Sequence, residues 1–177
     1  MDIDEFDRRV DKMFDRLRGN RVADRVFYGA SAIGDHGMLW ILLGAARGVL
    51  GDRRGATRVI VGAGLESIIV NGGIKLLFRR SRPVVDEPRP LPLRIPLTSS
   101  FPSGHASSAF FAATLLSDGA ARMAPVYFAA ASVVAASRVY VKIHHASDVI
   151  GGVAVGLLLG RIGRRLYPLE SPVTERG

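Results

Sequence analysis

Three polar clusters interrupt an otherwise apolar chain, and their residue types suit one kind of chemistry. Lys75, Arg82 and Arg138 are cations able to surround an anion. Ser103, Gly104 and His105 follow Pro102 where a helix would begin, offering a hydroxyl and the N–H groups of a first helical turn. His144 and Asp148 are four residues apart, so within a helix they would share one face. A phosphoryl group in transfer spreads charge over its equatorial oxygens, and fixed cations and N–H donors stabilise that charge. Two imidazoles could divide the rest of the work, one attacking phosphorus and one protonating the leaving oxygen. A carboxylate one turn away would fix the tautomer of its neighbouring ring.

These clusters need elements that bring them together. The runs Ala106 to Leu116 and Ala124 to Val141 are each long enough for a helix, and the turn Ser117 to Met123 would make them an antiparallel pair. With spans over 38–50, 59–78, 103–117, 124–142 and 148–166, four helix ends meet on one face. Upstream, Ile3, Phe6, Val10, Met13, Phe14 and Leu17 draw one helical stripe among basic and acidic residues, which reads as an amphipathic helix lying on a membrane surface; a helix packing on a partner protein is the alternative. Val22 to Ile33 continues it weakly until Gly34-Asp35-His36-Gly37 interrupts. The segment Gly51 to Arg58 reads as a loop carrying Arg53, Arg54 and Arg58.

The expected architecture is therefore all-α. It is a multi-pass transmembrane bundle of about five spans, with a surface helix at 1–21, a catalytic domain at 22–167 and a loose tail at 168–177. Within that domain the loop 79–101 holds prolines 83, 88, 90, 92 and 96, which forbid a continuous helix, and five arginines. Gly152, Gly156 and Gly160 form a close-packing face, either for a neighbouring helix or for a second subunit in a homo-oligomer. Glu66, a carboxylate within a span, reads as an interhelical hydrogen-bond or ion-pair partner, with a proton or substrate role as the alternative. His145, His36 and Asp35 are assigned to local packing or the rim, His145 remaining a substitute nucleophile.

Composition narrows the function classes. The chain of 177 residues has no cysteine, which excludes disulfides and thiol-ligated metals. Its charge of +8 would suit nucleic acid or an anionic membrane, and the placement of basic residues between apolar runs, with a mean hydropathy of +0.21, favours the membrane and argues against a nucleic-acid partner. Met1 to Asn20 lacks the apolar core of a signal peptide, so no cleavage is expected. The segment to Arg25 carries seven Lys/Arg residues and should stay in the cytoplasm of a cell-membrane protein; with five spans, the polar face would then look into the cytoplasm.

Taken in order, Lys75 with six residues before Arg82-Pro83, then Pro102-Ser103-Gly104-His105, then Ser137-Arg138 with five residues before His144 and three before Asp148, resemble the three motifs of the type-2 phosphatidic acid phosphatase family, shared with vanadium haloperoxidases. The resemblance implies that His144 forms a phosphohistidine, that Asp148 orients it and that His105 serves as general acid. It implies that Lys75, Arg82, Arg138, Ser103 and Gly104 hold the phosphoryl oxygens, and that neither metal nor cofactor takes part. Membrane members of the family commonly have six spans, against the five and a surface helix expected here.

The resulting expectation is a lipid phosphatase acting on a phosphate monoester or diphosphate in the membrane. The resemblance allows phosphatidate, phosphatidylglycerophosphate, undecaprenyl diphosphate and decaprenylphosphoryl phosphoribose 5-phosphate, and a polyprenyl-linked substrate is favoured. Two other classes stay open on residues alone. One is a metallohydrolase built on His105, His144, His145 and Asp148; the other is a non-enzymatic lipid-binding or transport protein whose cationic face holds headgroups.

Overall fold

The computed structural model describes residues 1–85 and 89–169. Most of the expected tail at 168–177, and Pro88 in the expected loop, lie outside the described residues. Among those described, every regular element is helical: α1 (Ile3–Asp15), α2 (Arg21–Ile33), α3 (Met38–Val49), α4 (Arg53–Ser67), α5 (Gly104–Ser117), α6 (Ala124–Tyr140) and α7 (Ala146–Leu166).

The central element is α5. Its Ala106, Ala109, Ala112, Ala113, Leu115 and Leu116 are all fully buried, because small and branched apolar residues occur right round the helix and neighbours cover every face. Against it lies α7, and the glycines set the distance. A Cβ at Gly152 would stand 2.4 Å from the Ser103 carbonyl oxygen, and one at Gly156 would stand 2.2 Å from that of Ser107. The glycine face is thus occupied within the chain by α5, which removes it as a docking face for a second subunit. On the other side of α5, Trp40 and Val59 bring α3 and α4 into the same apolar cluster, with α6 supplying Ala131 and Val134.

Among the described residues, three helical stretches are long and apolar enough to cross a membrane, at Arg53–Leu77, Ala121–Tyr140 and Ala146–Leu166. The pair α2 and α3 makes a fourth if its 59° bend is one broken span. That bend is where His36 and Gly37 take left-handed φ of 56° and 68°. The remaining expected span, α5, is not among these stretches: at 14 residues it is about 21 Å long, shorter than a hydrocarbon core of about 30 Å. The expected loop at 51–58 is also shorter. Asp52 accepts the Gly55 N–H at 2.7 Å, and this cap starts α4 at Arg53.

A wide π turn at Ile68–Gly73 and a tight 3-10 turn at Ile74–Leu77 complete the α4 rod, and Lys75 on the latter is buried. The helix α1 lays Phe6, Val10 and Phe14 on a cluster of α5, α6 and α7 residues, while Ile3, Met13 and Leu17 stay exposed. Half of the expected membrane stripe is therefore spent on the protein's own bundle.

Candidate active site

The chain after α4 runs back on itself, and this fold-back delivers the first cluster. Ser100 donates its N–H to the Arg80 carbonyl at 3.0 Å, and the Arg80 N–H reaches the Ser99 hydroxyl at 3.2 Å. Arg82 is fixed by the Thr98 and Ile143 carbonyls, each at 3.0 Å, and Lys75 Nζ reaches Thr98 Oγ1 at 3.4 Å. The second cluster begins at Ser103, the N-cap of α5, whose own N–H donates to the Asp148 carbonyl at 2.9 Å and so ties the start of α5 to that of α7. Gly104 follows at the close approach of Asn71, whose Oδ1 would lie 2.9 Å from an added Cβ. The N–H groups of that first turn are those a helix leaves without a partner of its own.

The third cluster closes the site. The Arg138 carbonyl accepts both the Ile143 and His144 N–H groups, at 3.2 and 3.1 Å, which stops α6 and turns His144 inward. His144 precedes α7 and does not share its helical face with Asp148, contrary to the one-turn spacing expected. Its Nδ1 stands 3.6 Å from Asp148 Oδ2, too far for a hydrogen bond. Ser100 bridges them: its hydroxyl donates to Asp148 Oδ2 at 2.6 Å and lies 3.4 Å from His144 Nδ1. The same Asp148 oxygen accepts the His145 N–H at 2.9 Å, and Arg80 donates to the other oxygen at 2.6 Å.

On the outer edge of the ring, Arg82 Nη1 lies 3.3 Å from His144 Nε2. A guanidinium only donates, so Nε2 accepts and Nδ1 carries the proton towards Ser100 and Asp148. Burial pushes the His144 pKa down to about 3, with Arg138 and Arg82 adding to the shift and Asp148 opposing it. The ring is therefore neutral, with a lone pair on Nε2. Around it, Arg82 Nε and Arg138 Nε and Nη2 are buried with no protein acceptor. Buried donors of this kind are costly unless something accepts from them.

A cavity of about 470 Å³ reaches His144 at this end of the bundle. Lys75, Gly104, His105 and His144 line it, while Ser103, Arg138 and Asp148 are buried behind or beside it. Trp40, Ile41, Ala63 and Ile68 give the same cavity an apolar wall. All eight expected site residues thus fall at one end of the bundle. His105 projects into the cavity and is held by Asp35, Nε2 to Oδ1 at 2.8 Å. Glu66 accepts from the Ser107 hydroxyl, the interhelical hydrogen bond expected of it, and also lines the cavity. The four residues once grouped as metal ligands split between two partners: His105 turns to Asp35, and His144 to Ser100. Among the described residues no three metal-ligating side chains converge.

Ser100, Arg80 and Asp35 were missed as site residues. Arg80 sits in an arginine-rich run and Ser100 beside Ser99, where nothing in type or spacing singles either out. Asp35 reads from the sequence as a packing or rim residue because it has no place in the three motifs. The signal that could have found it is the bend, which carries Asp35 to the start of α5.

Residues 55–171 match the PAP2 superfamily. The chain is 36% identical over 138 residues to decaprenylphosphoryl-5-phosphoribose phosphatase of Mycobacterium tuberculosis, covering 76% of this chain and 75% of that one. Over 69 residues it is 42% identical to lipid A 1-phosphatase of Porphyromonas gingivalis, covering 37% of this chain and 16% of the relative. Among solved structures, LpxE of Aquifex aeolicus aligns with a TM-score of 0.72 at 25% identity, over 91% of this chain and 93% of that one. A transmembrane PAP2-type phosphatidylglycerolphosphate phosphatase from Bacillus subtilis shares the fold, with a TM-score of 0.71 at 24% identity over 93% of this chain and 85% of that chain. With the match extending from α4 beyond α7 and taking in all three polar clusters, this chain belongs to the PAP2 superfamily.

Proposed function

We propose that the protein is a membrane phosphatase for a polyprenyl-linked phosphate monoester, of the class of decaprenylphosphoryl-5-phosphoribose, working through His144. The observation that carries this is the set of three buried, unmatched guanidinium nitrogens on Arg82 and Arg138 beside a neutral His144. Phosphoryl oxygens would satisfy those donors, with Lys75, Ser103 and the first-turn N–H of Gly104 completing the cradle. The likeness to the mycobacterial phosphatase favours a polyprenyl carrier, and the apolar wall of the cavity suits a lipid chain.

In this mechanism His144 Nε2 attacks phosphorus as the ester P–O bond breaks, and His105 gives its proton to the departing alkoxide. Water then attacks the phosphohistidine, His105 takes a proton from it, and the N–P bond breaks to release phosphate. Asp148 and Ser100 keep the Nδ1 proton in place throughout. No step calls on a metal.

Purified protein in mixed micelles, offered decaprenylphosphoryl phosphoribose 5-phosphate, undecaprenyl diphosphate, phosphatidylglycerophosphate and phosphatidate, should release phosphate fastest from the first. A preference for a glycerolipid would overturn the carrier assignment. Activity should survive chelator, and loss on chelation with recovery on adding zinc would overturn the metal-free route. A His144→Ala variant that turns over normally would overturn the nucleophile.

The five passes would be the bent α2–α3 pair, the α4 rod, α5, α6 and α7, with the outer side of α1 at the membrane surface. Because α1 touches the site directly through Asp7 and Arg80, the N-terminus and the site share one side without any counting of spans. A basic N-terminal segment resists translocation, so that side is the cytoplasm. In this cysteine-free chain, Arg53→Cys should react with an impermeant thiol reagent on intact cells and Leu97→Cys should not. The reverse pattern would place the site outside.

A further inference from the structure

We infer that Asp7, on the N-terminal helix, is a positioning residue for the reaction, acting through Arg80 on Asp148. This rests on the reading of His144 as the nucleophile. Asp7 is the buried residue of α1, 5% exposed on a helix whose other charges face outwards. Its Oδ2 accepts from Arg80 Nη2 and from the Ser147 hydroxyl, both at 2.7 Å, and its Oδ1 accepts the Ser147 N–H at 2.8 Å. The other arm of the same guanidinium, Nη1, donates to Asp148 Oδ1 at 2.6 Å and to the Ser147 hydroxyl at 2.7 Å.

One arginine therefore bridges two buried carboxylates, one on α1 and one beside the nucleophile. Anchoring α1 would need only the Ser147 contacts at the start of α7 and the apolar seat of Phe6, Val10 and Phe14. The bridge does more. With Asp7 in place, Arg80 is pulled from both sides and offers a single N–H to Asp148 Oδ1. Asp148 is thereby held with Oδ2 turned to Ser100 and the His144 ring. Without Asp7, Arg80 would have one carboxylate left and would be free to take both oxygens of Asp148 with its planar fork. That would draw Oδ2 away from Ser100 and loosen the hold on the Nδ1 proton, while leaving the cavity and its phosphate-facing donors as they are. The N-terminal helix thus contributes to catalysis although no atom of it touches the reacting groups.

The test uses the full chain in micelles with the lipid phosphate that the wild type hydrolyses, and compares wild type, His144→Ala, Asp7→Asn, Asp7→Glu and Phe6→Ala. Asp7→Asn should lower kcat roughly tenfold, the scale on which supports of a functional imidazole act, with KM unchanged. Asp7→Glu, which keeps the charge, should recover part of kcat. Phe6→Ala, which weakens the seat of α1 alone, should lower thermal stability and leave kcat per folded molecule unchanged. Combined with Arg80→Gln, Asp7→Asn should add nothing to the loss, as expected of residues acting in series. Should Asp7→Asn not fold, Arg80→Lys gives the same reading, since an ammonium cannot bridge the two carboxylates as a fork does. An unchanged kcat in Asp7→Asn, or in Arg80→Lys where that stands in, overturns the inference while an inactive His144→Ala preserves the reading of the site. A fully active His144→Ala overturns that reading, and this inference with it.

Discussion

At the end of the bundle away from the site, Arg58 is 4% exposed and its guanidinium meets Asp118 at 2.6 Å and the Leu115 carbonyl at 2.9 Å. Arg164 holds the other Asp118 oxygen at 2.8 Å. At the site end Arg138 is buried still more completely, yet its guanidinium meets only the Ser31 hydroxyl and, among the described residues, pairs with no carboxylate. Both arginines are buried, so burial alone does not distinguish them. The difference is the counter-ion. A structural arginine brings its own, because an unpaired buried charge destabilises the fold; an arginine built to bind an anion lacks one until the anion arrives.

Removing the two guanidiniums should set the two ends apart most strongly. Arg138→Ala should lower kcat by about 10²–10³-fold, the range for deleting a donor aimed at transition-state charge, and should cost less thermal stability than Arg58→Ala does. Arg58→Ala should cost on the order of 3 kcal/mol, since it leaves a partly buried Asp118 with less compensation, and should leave kcat per folded molecule unchanged. If the stability ranking is inverted, Arg138 is structural and the anion cradle loses its main support. Asp118→Asn makes the converse cut at about 2 kcal/mol. It turns Arg58 into an unpaired buried cation like Arg138, and activity per folded molecule should not change. A large fall in kcat would mean that the two ends are coupled through α5.

The ends differed in legibility as well. At the site end, the three motifs picked out eight residues that the fold brings to one end of the bundle, because their order and spacing along the chain are specific. The supports Ser100, Arg80 and Asp35 stayed hidden: each acts through a contact across 48 or more positions of chain, at 2.6 to 2.8 Å, and a hydroxyl, a guanidinium or a carboxylate on its own fits many roles. The helices at 124–140 and 146–166 were legible as apolar runs with clear breaks. The burial of α5 was not, since nothing in an apolar run of that length shows that neighbours cover it on every side. Nor was the inward use of Phe6, Val10 and Phe14, because a stripe is equally apolar whether lipid or protein covers it.

The hold on His105 offers a smaller cut at the site end. Asp35 contacts the ring at 2.8 Å from the bend between α2 and α3, and in the proposed mechanism a carboxylate there would stabilise the imidazolium that donates to the leaving group. Asp35→Asn should slow release of a poor alcohol leaving group roughly tenfold, a part of the about 10²–10⁴-fold that general acid catalysis contributes. A good leaving group such as a nitrophenolate should be nearly unaffected. Equal losses for both would show that Asp35 positions the substrate and not the acid.

The smallest expected effect separates the two ends by pH. Burial holds the His144 pKa at about 3 in the folded chain, against an ordinary value of 6.5. Above pH 6.5 the ring is neutral in both states and contributes no pH dependence. As pH falls below 6.5 the unfolded chain takes up a proton that the folded chain refuses down to about 3, so stability falls through that window. At the other end burial would raise the Asp118 pKa, but Arg58 and Arg164 outweigh it and hold the carboxyl below its ordinary 3.8. The stabilisation from Asp118 is present above 3.8 and is lost only as pH falls through the lower folded value. Between neutrality and mild acid, then, His144 titrates and Asp118 does not. Unfolding in one detergent should show the wild type losing about 1 kcal/mol near pH 6 relative to neutral pH. His144→Asn should lose correspondingly less over the same interval, and Asp118→Asn, though less stable throughout, should keep the wild-type slope. A His144→Asn slope equal to that of the wild type would mean that the imidazole is charged in the folded chain, and a charged ring has no lone pair with which to attack phosphorus.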